Sequence, residues 1–162
     1  MGKTLIILCA FFINVCSLFS QNKFTFEGIP FGISLDQSKS SFQNAGYRLV
    51  RSGYRGELYF SGAFYGFSDC SIRAFSNNGN VLSGVSVALP VCESWNCLYT
   101  NYTEVVSKLK VKFGNPTITK ESFWGDQKPS SDYEKLNEVT SGQCVYSSTF
   151  TMHQGSVKVY IN

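Results

Sequence analysis

An α+β fold, with one antiparallel sheet covered on one face by helices, follows from three features of this 162-residue chain. The stretches CSIRAFSNNGNVLSGVSVAL (residues 70–89) and QCVYSSTFTMHQGSVKVYIN (residues 143–162) each set two β-prone runs around a glycine-bearing turn. Each is preceded by a segment of helical period closed by a glycine, Gly46 or Gly114, and by further β-prone runs. Aromatic residues make up 15% of the chain and there are only 4 prolines, a composition that suits strands. The order helix, two strands, hairpin therefore occurs twice. It predicts a tandem helix-plus-four-strand repeat, residues 24–90 and 91–162, forming a single sheet of about eight strands with both helices on one side.

Residues 1–20 hold one early cation, Lys3, followed by the apolar run LIILCAFFINVCSLF. The run is shorter than the roughly 20 residues that span a bilayer, and Asn14 and Ser17 interrupt it. It reads as a signal peptide cleaved near Ser20, which makes the mature chain secreted or periplasmic, without a stable membrane span. Residues 21–162 then form a single domain of about 140 residues, enough to bury one core. Removing Lys3 from the 14 basic residues against 11 acidic ones leaves a net charge of +2. Such a balance argues against a dedicated nucleic-acid surface.

In the first half, KFTFEGIPF (residues 23–31) reads as a short extended lead-in. Ser34 or Asp36 can cap a helix in which Leu35, Phe42 and Ala45 fall roughly on one side, with Gly46 after its end. Strands follow over residues 47–52 and 56–64. In the hairpin, Asn78-Gly79 suits a two-residue type I′ turn, where both central positions need positive φ. Counting outward opposes Ser76 to Val81, Ala74 to Ser83, Ile72 to Val85 and Cys70 to Val87 on an apolar face. Phe75 with Leu82, Arg73 with Gly84 and Ser71 with Ser86 take the other face.

In the second half, Trp95, Leu98, Tyr102, Val105, Val106, Leu109 and Phe113 recur at three- and four-residue intervals, predicting a helix over residues 92–113. Lys108, Lys110 and Lys112 sit in its last turns, where cations suit the helix dipole. PTITKESF and DYEKLNEV read as strands on either side of a polar loop. With Gln154-Gly155 as the final turn, Met152 faces Val157, Phe150 faces Val159 and Ser148 faces Ile161. The polar face then pairs Thr151 with Lys158 and Thr149 with Tyr160.

FEGIPFG, the helix end Ala45-Gly46-Tyr47, the segment ELYFSGAFYGFSDCSI and the final hairpin together resemble small secreted proteins of unassigned function from Bacteroidetes-type bacteria. The repeat order is similar to the tandem fold of the β-lactamase inhibitory protein family, in which a curved sheet grips a partner enzyme. This second resemblance is architectural. It implies a binding surface but carries no contact residue onto this chain.

Few residues offer chemistry. Of the 6 cysteines, Cys9 and Cys16 belong to the export segment, leaving Cys70, Cys92, Cys97 and Cys144. Cys92 and Cys97 are close enough in sequence for a local disulfide, whereas Cys70 and Cys144 open the inward faces of their hairpins. With 1 histidine and no second matching cysteine pair, neither a metal site nor a cofactor is expected. That histidine, His153, lies beside a turn on the polar side and is poorly placed to serve Cys144 as a base. No nucleophile elbow or glycine-rich phosphate loop is present, so the chain does not read as an enzyme. What remains is the sheet face that helices leave open: Arg73, Phe75 and Leu82 in one half, Thr149, Thr151, Lys158 and Tyr160 in the other. Arginine and aromatic residues on such a face are the types enriched at binding hot spots. The expectation is a non-catalytic binding module for a protein partner. A carbohydrate-binding module using Tyr59, Tyr65, Trp124 or Tyr160 is the alternative, ahead of a small hydrolase.

Overall fold

The computed structural model describes residues 24–53, 56–77, 80–124 and 128–161. Residues 1–20, expected to be a signal peptide, and the Asn78-Gly79 pair lie outside the described residues. The chain starts with a miniature hairpin, β1 (Thr25–Phe26) and β2 (Ile29–Pro30), where an extended lead-in was expected. Its turn residues Glu27 and Gly28 both have positive φ, 48° and 81°, as a tight two-residue turn demands.

Ser34 begins α1 (Leu35–Asn44) with a reciprocal cap: its hydroxyl accepts from the Gln37 N–H at 3.1 Å, and the Gln37 side chain accepts from the Ser34 N–H at 3.2 Å. The helix buries Leu35, Ser38 and Phe42. Ala45, expected on that side, is instead its exposed C-cap. Four strands follow as a meander: β3 (Arg48–Ser52), β4 (Leu58–Phe64), β5 (Phe67–Phe75) and β6 (Gly84–Ala88), in the order β3-β4-β5-β6. Alternation sends Leu58, Phe60, Cys70, Ile72 and Ala74 into the core beneath α1, where Phe42 stacks on Phe60 at 4.7 Å. Each fully buried large side chain there contributes about 1.5–3 kcal/mol.

In the second half, Ser94 caps α2 (Trp95–Phe113), which Gly114 ends at φ 79°. Beyond it come β7 (Ile118–Phe123), α3 (Asp132–Thr140), β8 (Cys144–Met152) and β9 (Gly155–Ile161). The strands make an antiparallel sheet in the order β7-β8-β9. Its inner face places Tyr146, Phe150, Val157, Val159 and Ile161 against Tyr102, Val105, Val106 and Leu109 of α2. Phe67 and Leu89 pack against both cores and join them. Lys108 strengthens the junction by donating to the Tyr65 carbonyl while it pairs with Glu104 at 2.6 Å.

The α+β class is therefore observed, but the single sheet of about eight strands is not: the described strands form separate antiparallel sheets of two, four and three strands. DYEKLNEV is the helix α3, not a strand. Ser131 accepts from the Glu134 N–H at 3.2 Å, and the Glu134 carboxylate reaches back to the Ser131 N–H at 3.0 Å. That cap, together with a buried Val139 on one side, fixes helical rather than extended backbone.

In both hairpins the paired strands keep their predicted faces but shift register by two residues. In the first, Phe75 opposes Gly84, Ala74 opposes Val85 and Ile72 opposes Val87. The connection is residues 76–83 because its far end pairs elsewhere. The Leu82 N–H donates to Ile33 O at 2.8 Å, Gly32 N–H to Leu82 O at 2.9 Å and Leu35 N–H to Asn80 O at 2.9 Å. In the second hairpin the turn is His153-Gln154, so Met152 meets Gly155, Phe150 meets Val157 and Ser148 meets Val159. A two-residue slip preserves which side chains point inward within the paired strands; Leu82 and Val81, in the connection between β5 and β6, exchange their expected faces.

Candidate functional site

The open face of the four-stranded sheet is built by register. Tyr59 opposes Arg51 on one side and Arg73 on the other, and Arg73 opposes Ser86. The next row holds Arg48, Ser61, Ser71 and Ala88. Arg48, Arg51, Ser71, Arg73, Ser86 and Ala88 are all exposed, so no helix covers these rows. Glu57, immediately before β4, reaches into them. It accepts from the Tyr59 hydroxyl at 2.6 Å and is ion-paired with Arg73. The Arg51 guanidinium lies 3.9 Å from the Tyr59 ring centroid, and that of Arg73 lies 5.2 Å from the Phe75 ring. The Phe75 ring in turn fills the space a side chain at Gly84 would need.

The hydrogen bond from Tyr59, then that from Arg73, holds the Glu57 carboxyl below the ordinary carboxylate value. Accepting the Tyr59 proton donor in turn pushes the Tyr59 phenol up. Glu57 therefore stays a carboxylate that ties one aromatic and one guanidinium together. At this solvent-exposed site such pairing orders the side chains more than it stabilises the fold.

Of the residues expected on the open face, Arg73 and Phe75 are there and touch each other. Leu82 is not: it is 1% exposed and belongs to the core. The backbone pairing of residues 80–82 with residues 32–35 turns it inward beneath the sheet. Thr149, Thr151, Lys158 and Tyr160 do share the outer face of the three-stranded sheet, where Thr149 opposes Lys158. Thr117 donates to the Thr149 carbonyl at 3.0 Å and shares a 3.0 Å hydrogen bond with Thr151. The Lys158 ammonium lies 5.5 Å from the Tyr160 ring. The two sets thus occupy two sheets rather than one continuous face.

Sequence reasoning missed Arg51 and Glu57. Strict alternation from buried Tyr47 would turn Arg51 inward with Leu49; an irregularity between Leu49 and Arg51 brings it onto the Arg48 face, which no local pattern announces. Glu57 stands two residues before Tyr59 in the expected strand 56–64 and shares its face by alternation, whereas its ion pair with Arg73 depends on strand pairing.

Cys92 and Cys97 are joined in a disulfide at the start of α2, with Cα atoms 5.7 Å apart. Cys70 and Cys144 are free, and burial pushes both thiols up. His153 is at the turn end of β8 and Cys144 at the other end, about 30 Å of strand away. Among the aromatics, Trp124 and Tyr160 are each 54% exposed. Tyr65 is half-buried against Phe64, and one face of Tyr59 is taken by Arg51. Among the described residues no His/Cys/Asp/Glu group could hold a metal ion, and no helix is long and apolar enough to cross a membrane. No protein-family model, no curated protein and no solved structure matches the chain.

Proposed function

We propose that this chain is an exported, non-catalytic binding module that docks a protein partner on the open face of its four-stranded sheet. The observation that carries this reading is the Arg51–Tyr59–Glu57–Arg73–Phe75 cluster. Aromatic rings and guanidiniums are held in fixed positions on an uncovered surface, which lowers the entropy lost on docking. The Cys92–Cys97 bridge supports export, since disulfides persist in oxidising compartments. The separation of His153 from the free thiol of Cys144 along β8 supports a non-catalytic role. A helix laid over each larger sheet supports the reading of an ancestral duplication, in which α3 replaces one strand of the second unit. A second face, Thr149, Thr151, Lys158 and Tyr160, extends the same role to the three-stranded sheet. Exposure of Trp124 and Tyr160 favours carbohydrate as the alternative ligand.

Affinity capture from the native envelope tests this. Wild type, Arg73→Ala and Tyr160→Ala are used as baits, after circular dichroism has shown each to be folded. Loss of one partner with Arg73→Ala supports the four-stranded face. Identical captures from all three baits remove both sheet faces from consideration.

A further inference from the structure

We infer that the open face of the four-stranded sheet is built to receive an acidic polypeptide segment, its carboxylates taken by Arg48, Arg51 and Arg73. The inference rests on the docking role proposed above and names the chemistry of the partner. Charge carries it. The strands contribute three arginines to this face, and the carboxylate within the cluster is Glu57, already committed to Arg73 and Tyr59. Asp69, the other nearby acid, sits in the β4–β5 irregularity at φ 56°, beyond the Arg48 row and away from the Arg51 row. Among the described residues, neither Arg48 nor Arg51 has an ion-pair partner.

Geometry makes the arginines ready. The Arg51 guanidinium carbon is held 3.9 Å from the Tyr59 ring centroid, and among the described residues no carboxylate is ion-paired with its N–H donors, which can grip an incoming carboxylate as a fork. Glu57 already shows the mode of recognition: a carboxylate held by Arg73 and the Tyr59 hydroxyl. Ser86 in the Arg51–Arg73 row and Ser61 and Ser71 in the Arg48 row are small side chains beside the arginines, leaving room for an incoming chain. Glu57 would then compete with the partner for Arg73.

Fluorescence anisotropy tests the inference on the full mature chain. The probe is a labelled peptide of alternating glutamate and serine around one leucine, and the control carries lysine in place of glutamate. The acidic peptide binds, weakens with added sodium chloride, and weakens about tenfold or more in Arg51→Gln/Arg73→Gln. Arg51→Lys/Arg73→Lys, which keeps the charge but loses the fork, falls between. Glu57→Gln binds more tightly, because it frees Arg73. Equal binding by wild type and the Gln variant, tighter binding of the lysine peptide, or no binding of the acidic peptide overturns the inference. If the acidic peptide fails while Arg51→Gln/Arg73→Gln still loses a captured partner, docking stands and the acidic assignment falls. If capture is also unchanged, both fall.

Discussion

Replacing Leu82 with alanine separates the observed fold from the one that simple strand alternation predicts. Leu82 is 1% exposed and packs into the first core from a connection whose backbone is tied to residues 32–35. Burial of the leucine side chain is worth about 2 kcal/mol, and the cavity left by truncation raises the expected loss to about 3 kcal/mol. For a domain of this size that loss lowers the melting temperature by roughly 10 °C. Urea unfolding followed by circular dichroism measures it as a lower midpoint with an unchanged slope. The neighbouring Val81 is 42% exposed, and its link to Ser34 is a backbone bridge, so Val81→Ala serves as the control. On the outer sheet face, Leu82→Ala would cost no more than about 0.5 kcal/mol, and a loss that small would refute the observed path of residues 80–82.

Three further outcomes follow from the second half of the chain. The Tyr102 hydroxyl shares a 2.8 Å hydrogen bond with Ser148, which is 1% exposed, and donates to Glu121 at 3.3 Å. Tyr102→Phe leaves the Ser148 hydroxyl buried without that partner and costs about 1–2 kcal/mol, part of which Tyr102→Phe/Ser148→Ala restores in a double-mutant cycle. Hydrogen bonds from the Ser131 and Ser130 backbone pull the Glu134 carboxyl down to about 2. Its contribution to stability is complete above the ordinary value of 4.5 and is lost as the pH falls through about 2. Glu134→Gln therefore lowers stability near neutrality and flattens the acid limb of the pH–stability curve; an unchanged limb would count against the cap. Replacing Cys92 and Cys97 together with alanine costs about 2 kcal/mol from the short closed loop, read by the urea midpoint. Thiol titration of the unfolded segment 21–162 should double on reduction, since two of the four cysteines in it are bridged.

Some of this architecture is written locally and some is not. The α2 helix is legible because Trp95, Tyr102, Val105, Val106 and Leu109 keep one stripe and Gly114 ends it. The α3 helix carried its own signals, a Ser131-x-x-Glu134 box and Tyr133, Leu136 and Val139 three residues apart. Analogy with the first half, where strands stand at that place, pointed the other way. Inner and outer faces were readable from period two, whereas register was not. In the first hairpin, backbone pairing of Asn80 and Leu82 with residues 32–35, distant in sequence, accompanies the shifted register of β5 and β6. The outer cluster was half legible for a related reason: Arg73, Phe75 and Glu57 follow from alternation, but Arg51 joins them only through the irregularity between Leu49 and Arg51.

The central claim is that the open face of the four-stranded sheet is where a partner docks. A photo-crosslinking side chain placed at Ser86, beside Arg73 on that face, tests it directly in the native envelope, with the same group at exposed Gln43 on α1 as the comparison. A discrete protein adduct from position 86, lost when Arg51→Gln/Arg73→Gln is added and absent from position 43, is the predicted result. The same adduct from both positions, or an adduct from position 86 that survives loss of the arginines, would contradict the claim.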